Sequence, residues 1–290
     1  MQQTKALLHF NFYAYLRLMR LDKRIGIYLL LWPTLMALWI AGNGKPDPFI
    51  VLVFILGVIV MRSTGCVIND IADREFDKFV KRTQNRPLVT GEVTLLGAFI
   101  LFLGLVLIAF LLVLQLNLLT MVLSSVGLLL AIIYPFMKRY NYVPQVILGA
   151  AFGWAIPMAF VALTRNIPPV AFLLFFVSLC WAVIYDTEYA MVDRSDDIKI
   201  GIKSTAIWFG KADAIVIGVF QLLMLALLVK IGVDLDCGKF YFGAVLCAGL
   251  CFIYQQYLMK NRNETACFHA FLNNNLVGGL LFMGLYLDYW

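Results

Sequence analysis

Asn69, Asp73 and Asp77 stand four residues apart in the string Asn69-Asp70-Ile71-Ala72-Asp73-Arg74-Glu75-Phe76-Asp77. On a helix that spacing sets three polar side chains in one stripe. Four acids crowd into eight residues here and repel one another unless cations neutralise them. Carboxylate oxygens suit hard cations such as Mg²⁺, which is commonly held by only one or two protein carboxylates, with substrate phosphates completing its shell. A second string repeats the theme. Asp186, Tyr189, Asp193 and Asp197 follow i, i+3, i+7, i+11 spacing with Asp196 beside them, again one helical face. The candidate metal ligands are Asn69, Asp70, Asp73, Asp77, Asp193, Asp196 and Asp197. Either stripe alone could equally be a solvated acidic helix end; two on one membrane face favour a site.

Basic groups accompany the acids. Lys81-Arg82-Thr83-Gln84-Asn85-Arg86-Pro87 follows the first stripe, Lys138-Arg139 lies midway, and Lys199 and Lys203 follow the second. Lys78 and Lys211 read as topology determinants at headgroup level. Arg62 differs, because it lies seven residues before Asn69, two turns deeper on the same face. A lipid-facing arginine there costs about 2.5–3.5 kcal/mol, so Arg62 is expected to face a polar cavity or an anion. The stretch from His9 to Tyr15, followed by Arg17 and Arg20, reads as an interfacial amphipathic helix, an anchor except at Arg20. His9 and His269 form no motif, and the six cysteines show no CxxC or zinc spacing.

The elements that must position these groups are apolar. Of 290 residues, 62% are hydrophobic and 14% charged, against roughly 45–50% and about 25% in soluble domains. That excludes a soluble globular protein and, with it, nucleic-acid binding. Apolar runs cover residues 25–44, 48–68, 93–137, 142–164, 166–185, 214–229, 240–259 and 266–287. The third, as one helix of about 67 Å, would be roughly twice the hydrocarbon thickness, so it must turn at its polar interruption Gln115-Leu116-Asn117. The result is an all-α fold of nine transmembrane helices around a cytoplasm-facing, lipid-accessible cavity, with residues 1–24 as an N-terminal interfacial segment and 25–290 as one domain. Alternate loops then carry eighteen Lys and Arg on one face and four on the other, which puts the uncleaved N-terminus in the cytoplasm and Trp290 on the opposite face. Two connections, at about 69–92 and 186–213, are far longer than the 2–8 residues usual in bundles. Both carry the acids.

Acids for a metal, interleaved cations and a lipid-embedded bundle together describe one ligand: a pyrophosphate on a long apolar tail, as in an allylic prenyl diphosphate. A transporter could also place charge on one face, although transporters usually carry their ionisable groups at the midplane.

Asn69-Asp70-x-x-Asp73-x-x-x-Asp77, followed by Lys81-Arg82-Thr83-x-x-Arg86-Pro87-Leu88, resembles the first signature of the UbiA superfamily of membrane prenyltransferases. Asp193-x-x-x-Asp197, preceded by Tyr185-Asp186-Thr187 and followed by Lys199-Ile200-Gly201-Ile202-Lys203-Ser204, resembles the second. Arg17-Leu18-Met19-Arg20-x-Asp22-Lys23, Tyr134-Pro135-Phe136-Met137-Lys138-Arg139 and Asn273-Asn274-Asn275 also fit. The resemblance covers essentially the whole chain. It implies Mg²⁺ dependence, a bacterial inner-membrane location, and transfer of a polyprenyl group from polyprenyl diphosphate to 4-hydroxybenzoate for ubiquinone; dihydroxynaphthoate, haem or a chlorophyllide are the alternative acceptors. It further implies that Asp73, Asp193, Arg62 and Arg139 carry the reaction. Arg20, Arg62, Arg82, Arg86, Tyr134, Lys138, Arg139, Lys199 and Lys203 are then the substrate-binding candidates, with Arg82 and Lys138 toward the diphosphate and Arg62 and Arg139 toward the acceptor carboxylate.

Overall fold

Several helices begin where the sequence supplies a cap. Asn11 accepts a hydrogen bond from the Ala14 amide at the head of α1 (Phe12–Leu18), and the apolar α2 (Ile25–Ala41) follows. Asp47 accepts from the Phe49 and Ile50 amides and Pro48 occupies the first turn of α3 (Pro48–Asp77), an arrangement that satisfies otherwise orphaned donors. After the one-turn α4 (Pro87–Thr90), Thr94 caps α5 (Leu95–Val113) through the Gly97 amide. The long apolar run turns as its polar interruption demands. Asn117 accepts from the Thr120 amide at 3.0 Å and donates to the Val161 carbonyl at 2.9 Å, which fixes the start of α6 (Leu118–Met137) against a neighbour.

The remaining elements are α7 (Pro144–Gly153), α8 (Ala155–Thr164), α9 (Pro169–Ile200), α10 (Thr205–Phe209), α11 (Asp213–Asp234), α12 (Lys239–Met259) and α13 (Glu264–Asp288). The structure is a computed structural model, and it describes residues 11–137, 144–201 and 203–290. Among the described residues every regular element is helical. Eight segments there are long and apolar enough to cross a membrane, α7 with α8 and α10 with α11 each counting as one. The 17-residue α2 is a shorter apolar helix, about 25 Å long and at the lower end of the spanning range. The chain is a multi-pass membrane protein.

Two sequence expectations change. The connections at about 69–92 and 186–213 both begin as helix rather than loop, because α3 runs on to Asp77 and α9 runs unbroken to Ile200. Its acidic stretch contains neither proline nor glycine until Gly201, whose positive φ of 73° ends the helix while its amide bonds the Asp197 carbonyl, a backbone state glycine reaches without strain. The span at 142–164 is broken at Trp154 into α7 and α8. Pro157 has no N–H to offer the Gly153 carbonyl four residues earlier, and the Trp154 indole instead donates to the Leu123 carbonyl of α6 at 2.7 Å.

The main core lies among α2, α9, α11, α12 and α13, where Trp181, Met224, Leu228, Tyr241 and Leu285 are buried. A second, smaller core joins α1, α3, α4 and α5 through Ala14, Leu18, Val67, Leu88 and Ala98. The acid-bearing α3 shares the main core with α9 at its N-terminal half, through Phe54, and joins the second core at its acidic half, through Val67; the space between the two acidic ends is the site.

Candidate active site

At its C-terminal end α3 carries Asp70, Asp73 and Asp77, exposed by only 2%, 1% and 6%. Burying three carboxylates on one helix is tolerable only with cations alongside. Arg20 and Arg86 each reach Asp70 at 3.0 Å, and Arg86 also bonds Asp77. One guanidinium therefore bridges two acids that stand two turns apart. The loop that supplies it is pinned to the helix end, for the buried Thr83 hydroxyl donates to the Asp77 carbonyl at 2.8 Å. Burial works against the charge on Arg86, but Asp70 and Asp77 outweigh it and hold its proton more firmly than in a free arginine.

Across the gap, Arg82 forks onto Asp193 of α9, its Nε lying 2.9 and 3.1 Å from the two carboxylate oxygens. Its guanidinium also lies over the Tyr189 ring at 4.4 Å, a favourable cation–π arrangement. The Lys81 amide donates to Asp196 at 3.3 Å. The loop after the first acidic stripe is thus clipped to the second. Arg194, next to Asp193, and Arg262 from the α12–α13 turn both pair with the fully buried Asp213 at the head of α11, which holds the end of α9 in place.

Inward from these charges runs a chamber of about 990 Å³, walled by α2, α3, α5, α6, α7, α8 and α9. Arg20, Asn69, Asp70, Arg82 and Arg86 form its mouth, and most of its depth is apolar, as at Leu29, Val58, Leu107, Phe110 and Leu128. Arg62 stands in the wall with Tyr134, Tyr185 and Asp186. Its Nε is buried without a hydrogen-bond partner, and its guanidinium lies 5.7 Å from the Phe152 ring. Arg62 faces a polar part of the cavity, as its position two turns below Asn69 implied.

Among the candidate residues, the structure brings Arg20, Arg62, Asn69, Asp70, Arg82, Arg86 and Tyr134 to the chamber. Asp193 and Asp196 line a small cleft of about 80 Å³ beside Lys81 and Arg82. Lys199 instead pairs with Asp196 at 3.2 Å and is 70% exposed. Asp73, Asp77, Asp197 and Lys203 lie outside the chamber wall. Lys138 and Arg139 fall outside the described residues. Among the described residues no three acidic, histidine or cysteine side chains converge on one point; arginines are wedged between the carboxylates.

One set of positioning residues carries no spacing signal of its own. Asn273, Asn274 and Asn275 are consecutive on α13, so they point about 100° apart and each grips a different helix. Asn273 accepts from Gln255 of α12 at 3.0 Å and Asn275 from Trp32 of α2 at 2.9 Å. Asn274 accepts from Trp181 at 2.8 Å and donates to Glu188 at 2.7 Å, both on α9. Glu188 and Asn274 are fully buried. Glu188 follows the chamber-lining Asp186 by two residues, and only the folded packing shows that it turns the other way.

An apolar chamber in a membrane bundle, closed at one end by carboxylates and guanidiniums, defines a class: a polytopic membrane protein shaped for an amphiphile with an anionic head. Residues 30–282 match the UbiA prenyltransferase family. The chain belongs to that family. It is 58% identical over 277 residues, 96% of each chain, to the 4-hydroxybenzoate octaprenyltransferases of Salmonella paratyphi C and Salmonella newport. In fold it is similar to a UbiA homolog from Aeropyrum pernix (TM-score 0.81, 23% identity, covering 91% of this chain and 98% of that one). It is also similar to a UbiA homolog from Archaeoglobus fulgidus bound to GPP and Mg²⁺ (TM-score 0.72, 15% identity, covering 95% and 99%).

Proposed function

We propose that this protein transfers a polyprenyl group from polyprenyl diphosphate to the ring carbon of 4-hydroxybenzoate ortho to the hydroxyl, as a step of ubiquinone synthesis in a bacterial inner membrane. The observation that carries the reading is the apolar chamber ending at Arg20, Arg82 and Arg86 beside the acidic stripes of α3 and α9. The identity of 58% with enzymes of that name supports it.

Arg82 and Arg86 then take up the charge of the departing diphosphate, with Arg20, Lys138, Lys199 and Lys203 as further cations of that face. The donor set suits Mg²⁺: hard carboxylate oxygens from Asp70, Asp73, Asp77, Asp193, Asp196 and Asp197, with the Asn69 amide, offered a few at a time so that phosphate oxygens can complete the shell. Bound there, Mg²⁺ supplies positive charge to the leaving diphosphate. The apolar wall keeps water from the allylic carbon as its C–O bond breaks. The acceptor ring attacks that carbon from the carbon ortho to its hydroxyl, where oxygen donates electron density, and the ring proton leaves. Arg62 and Arg139 are assigned to the acceptor carboxylate and Tyr134 to the same wall.

Residues 25–290 form one nine-span domain, with α2 as the first span and 1–24 as the interfacial segment. The eighteen-to-four split of basic residues sets the N-terminus in the cytoplasm and Trp290 outside. The test is an assay in membranes with Mg²⁺, a prenyl diphosphate and a panel of acceptors. Prenylated 4-hydroxybenzoate is expected, with the corresponding amide and dihydroxynaphthoate used far less. Preference for dihydroxynaphthoate would refute the acceptor.

A further inference from the structure

The chamber is much deeper than its charged mouth. Along α3 its wall passes from Asp70 through Gly65 to Gly57 and Phe54, and it ends near Leu116 and Met158. Gly57 lies thirteen residues from Asp70, about 20 Å along the helix axis. A Cβ placed at Gly65 or at Gly57 would meet no atom within 4 Å. Both glycines border open space. Opposite them α5 contributes Leu107 and Phe110, and α6 contributes Ser124 and Leu128.

The seam between α2 and α13 is closed by packing. Between α2 and α13, a Cβ at Gly278 would come within 2.3 Å of Trp32 and 2.5 Å of Trp181, and Trp39 meets Phe282 edge-on at 5.2 Å. A Cβ at Gly26 on α2 would strike the Arg62 guanidinium, with Nε at 2.3 Å. The chamber runs instead along α3, α5 and α6, which line it from the mouth to its depth.

We propose that the apolar tail of the donor lies in the α3–α5–α6 groove and that Gly57 determines which tail lengths fit. The inference rests on reading the donor as a prenyl diphosphate. With the diphosphate at Arg82 and Arg86, the first units of the tail pass Gly65, and only a tail of several units reaches Gly57. Recognition there is by shape, since the deep walls offer almost no polar groups. A side chain at Gly57 would fill the deep half of the groove and leave the mouth untouched.

The experiment compares kcat/KM for geranyl and octaprenyl diphosphate with 4-hydroxybenzoate and Mg²⁺, using the full chain in nanodiscs. In Gly57→Phe the octaprenyl-to-geranyl ratio is expected to fall at least about 10-fold, the effect of displacing two or so methylene groups from an apolar wall. Gly57→Ala and Gly57→Leu should give a graded series, which keeps the test valid if the phenylalanine variant does not fold. Gly243→Phe is the control. Gly243 also has nothing within 4 Å of an added Cβ but is exposed on α12, and its ratio should stay at the wild-type value. An unchanged ratio in active Gly57 variants, or an equal fall in Gly243→Phe, would overturn the inference alone. A wild-type protein that used neither diphosphate would overturn the donor reading and the inference with it.

Discussion

Replacing Arg82 by glutamine should tighten metal binding while weakening use of the donor. In the structure Arg82 holds Asp193 through a two-pronged contact, Nε at 2.9 and 3.1 Å from the carboxylate oxygens, and the side chains are 31% and 13% exposed. At an effective dielectric of about 20, two charges 4 Å apart attract by about 4 kcal/mol. Fully exposed pairs retain only about 0.2–1 kcal/mol of such attraction. A forked, mostly covered pair lies between, at about 1–2 kcal/mol. On the proposed metal assignment Asp193 gives up this partner to bind Mg²⁺, so without Arg82 the metal should bind about 5- to 30-fold more tightly, at 1.4 kcal/mol per tenfold. The diphosphate loses a charge-assisted contact of about 1.5–3 kcal/mol, so its KM should rise by about 10-fold or more. The assay is calorimetric titration of the full protein in nanodiscs with Mg²⁺ alone. Lys260→Gln removes one positive charge from the same membrane face, where Lys260 lies over Tyr257 at 4.1 Å, and should leave the affinity unchanged. Equal or weaker Mg²⁺ binding in Arg82→Gln would refute the competition between arginine and metal.

Asp73→Asn and Asp193→Asn keep side-chain size but remove a carboxylate charge, so each should cost at least ~10²-fold in turnover at saturating Mg²⁺, with membrane insertion unchanged; near-normal rates would sink the metal assignment. Arg62→Lys should raise the KM for 4-hydroxybenzoate with little change for the donor, because an ammonium cannot reproduce the planar fork; damage confined to the donor would reassign Arg62 to the diphosphate. Asn274→Leu strips the Trp181 N–H and the Glu188 carboxyl of their partner. At about 0.6–1.7 kcal/mol per interhelical bond, the melting temperature in detergent should drop by several degrees, and an unshifted melt would show that α13 is held by packing alone.

Much of this arrangement is legible in the chain. Arg62 could be assigned to a cavity because an arginine inside an apolar run has few other places to go, and Asn117 could be assigned to a turn because 45 apolar residues cannot cross once. The stripe of α3 follows from its spacing of four. Other features depend on contacts distant in sequence. Nothing near Arg86 says that it bridges Asp70 and Asp77, since sixteen residues of chain must fold back to bring it there. Hydropathy stops at Tyr185, yet α9 continues because helix continuity is set by the absence of breakers, not by polarity. The break at Trp154 is hidden inside an apolar run for the converse reason. The assignment of Asn273, Asn274 and Asn275 to three neighbours needs the positions of α2, α9 and α12, which no local pattern contains.

The two acidic stripes ride on the ends of the longest helices, 30 residues in α3 and 32 in α9. At about 1.5 Å per residue these are rods of about 45 and 48 Å, and roughly 15 Å of each projects beyond a hydrocarbon layer of about 30 Å. They share the main core at Phe54, but their acidic ends are bridged at the mouth by the loop that carries Arg82 and Arg86. The gap between the stripes is then set by the tilt of two levers, and tilt is what a helix changes when the bilayer thickens or thins. Lipid acyl-chain length is then expected to alter turnover, acting through the separation of Asp77 and Asp193 rather than through any contact with substrate. Reconstitution in bilayers of graded chain length should give an optimum thickness, and cells that remodel their lipids with temperature would retune this enzyme as they do so.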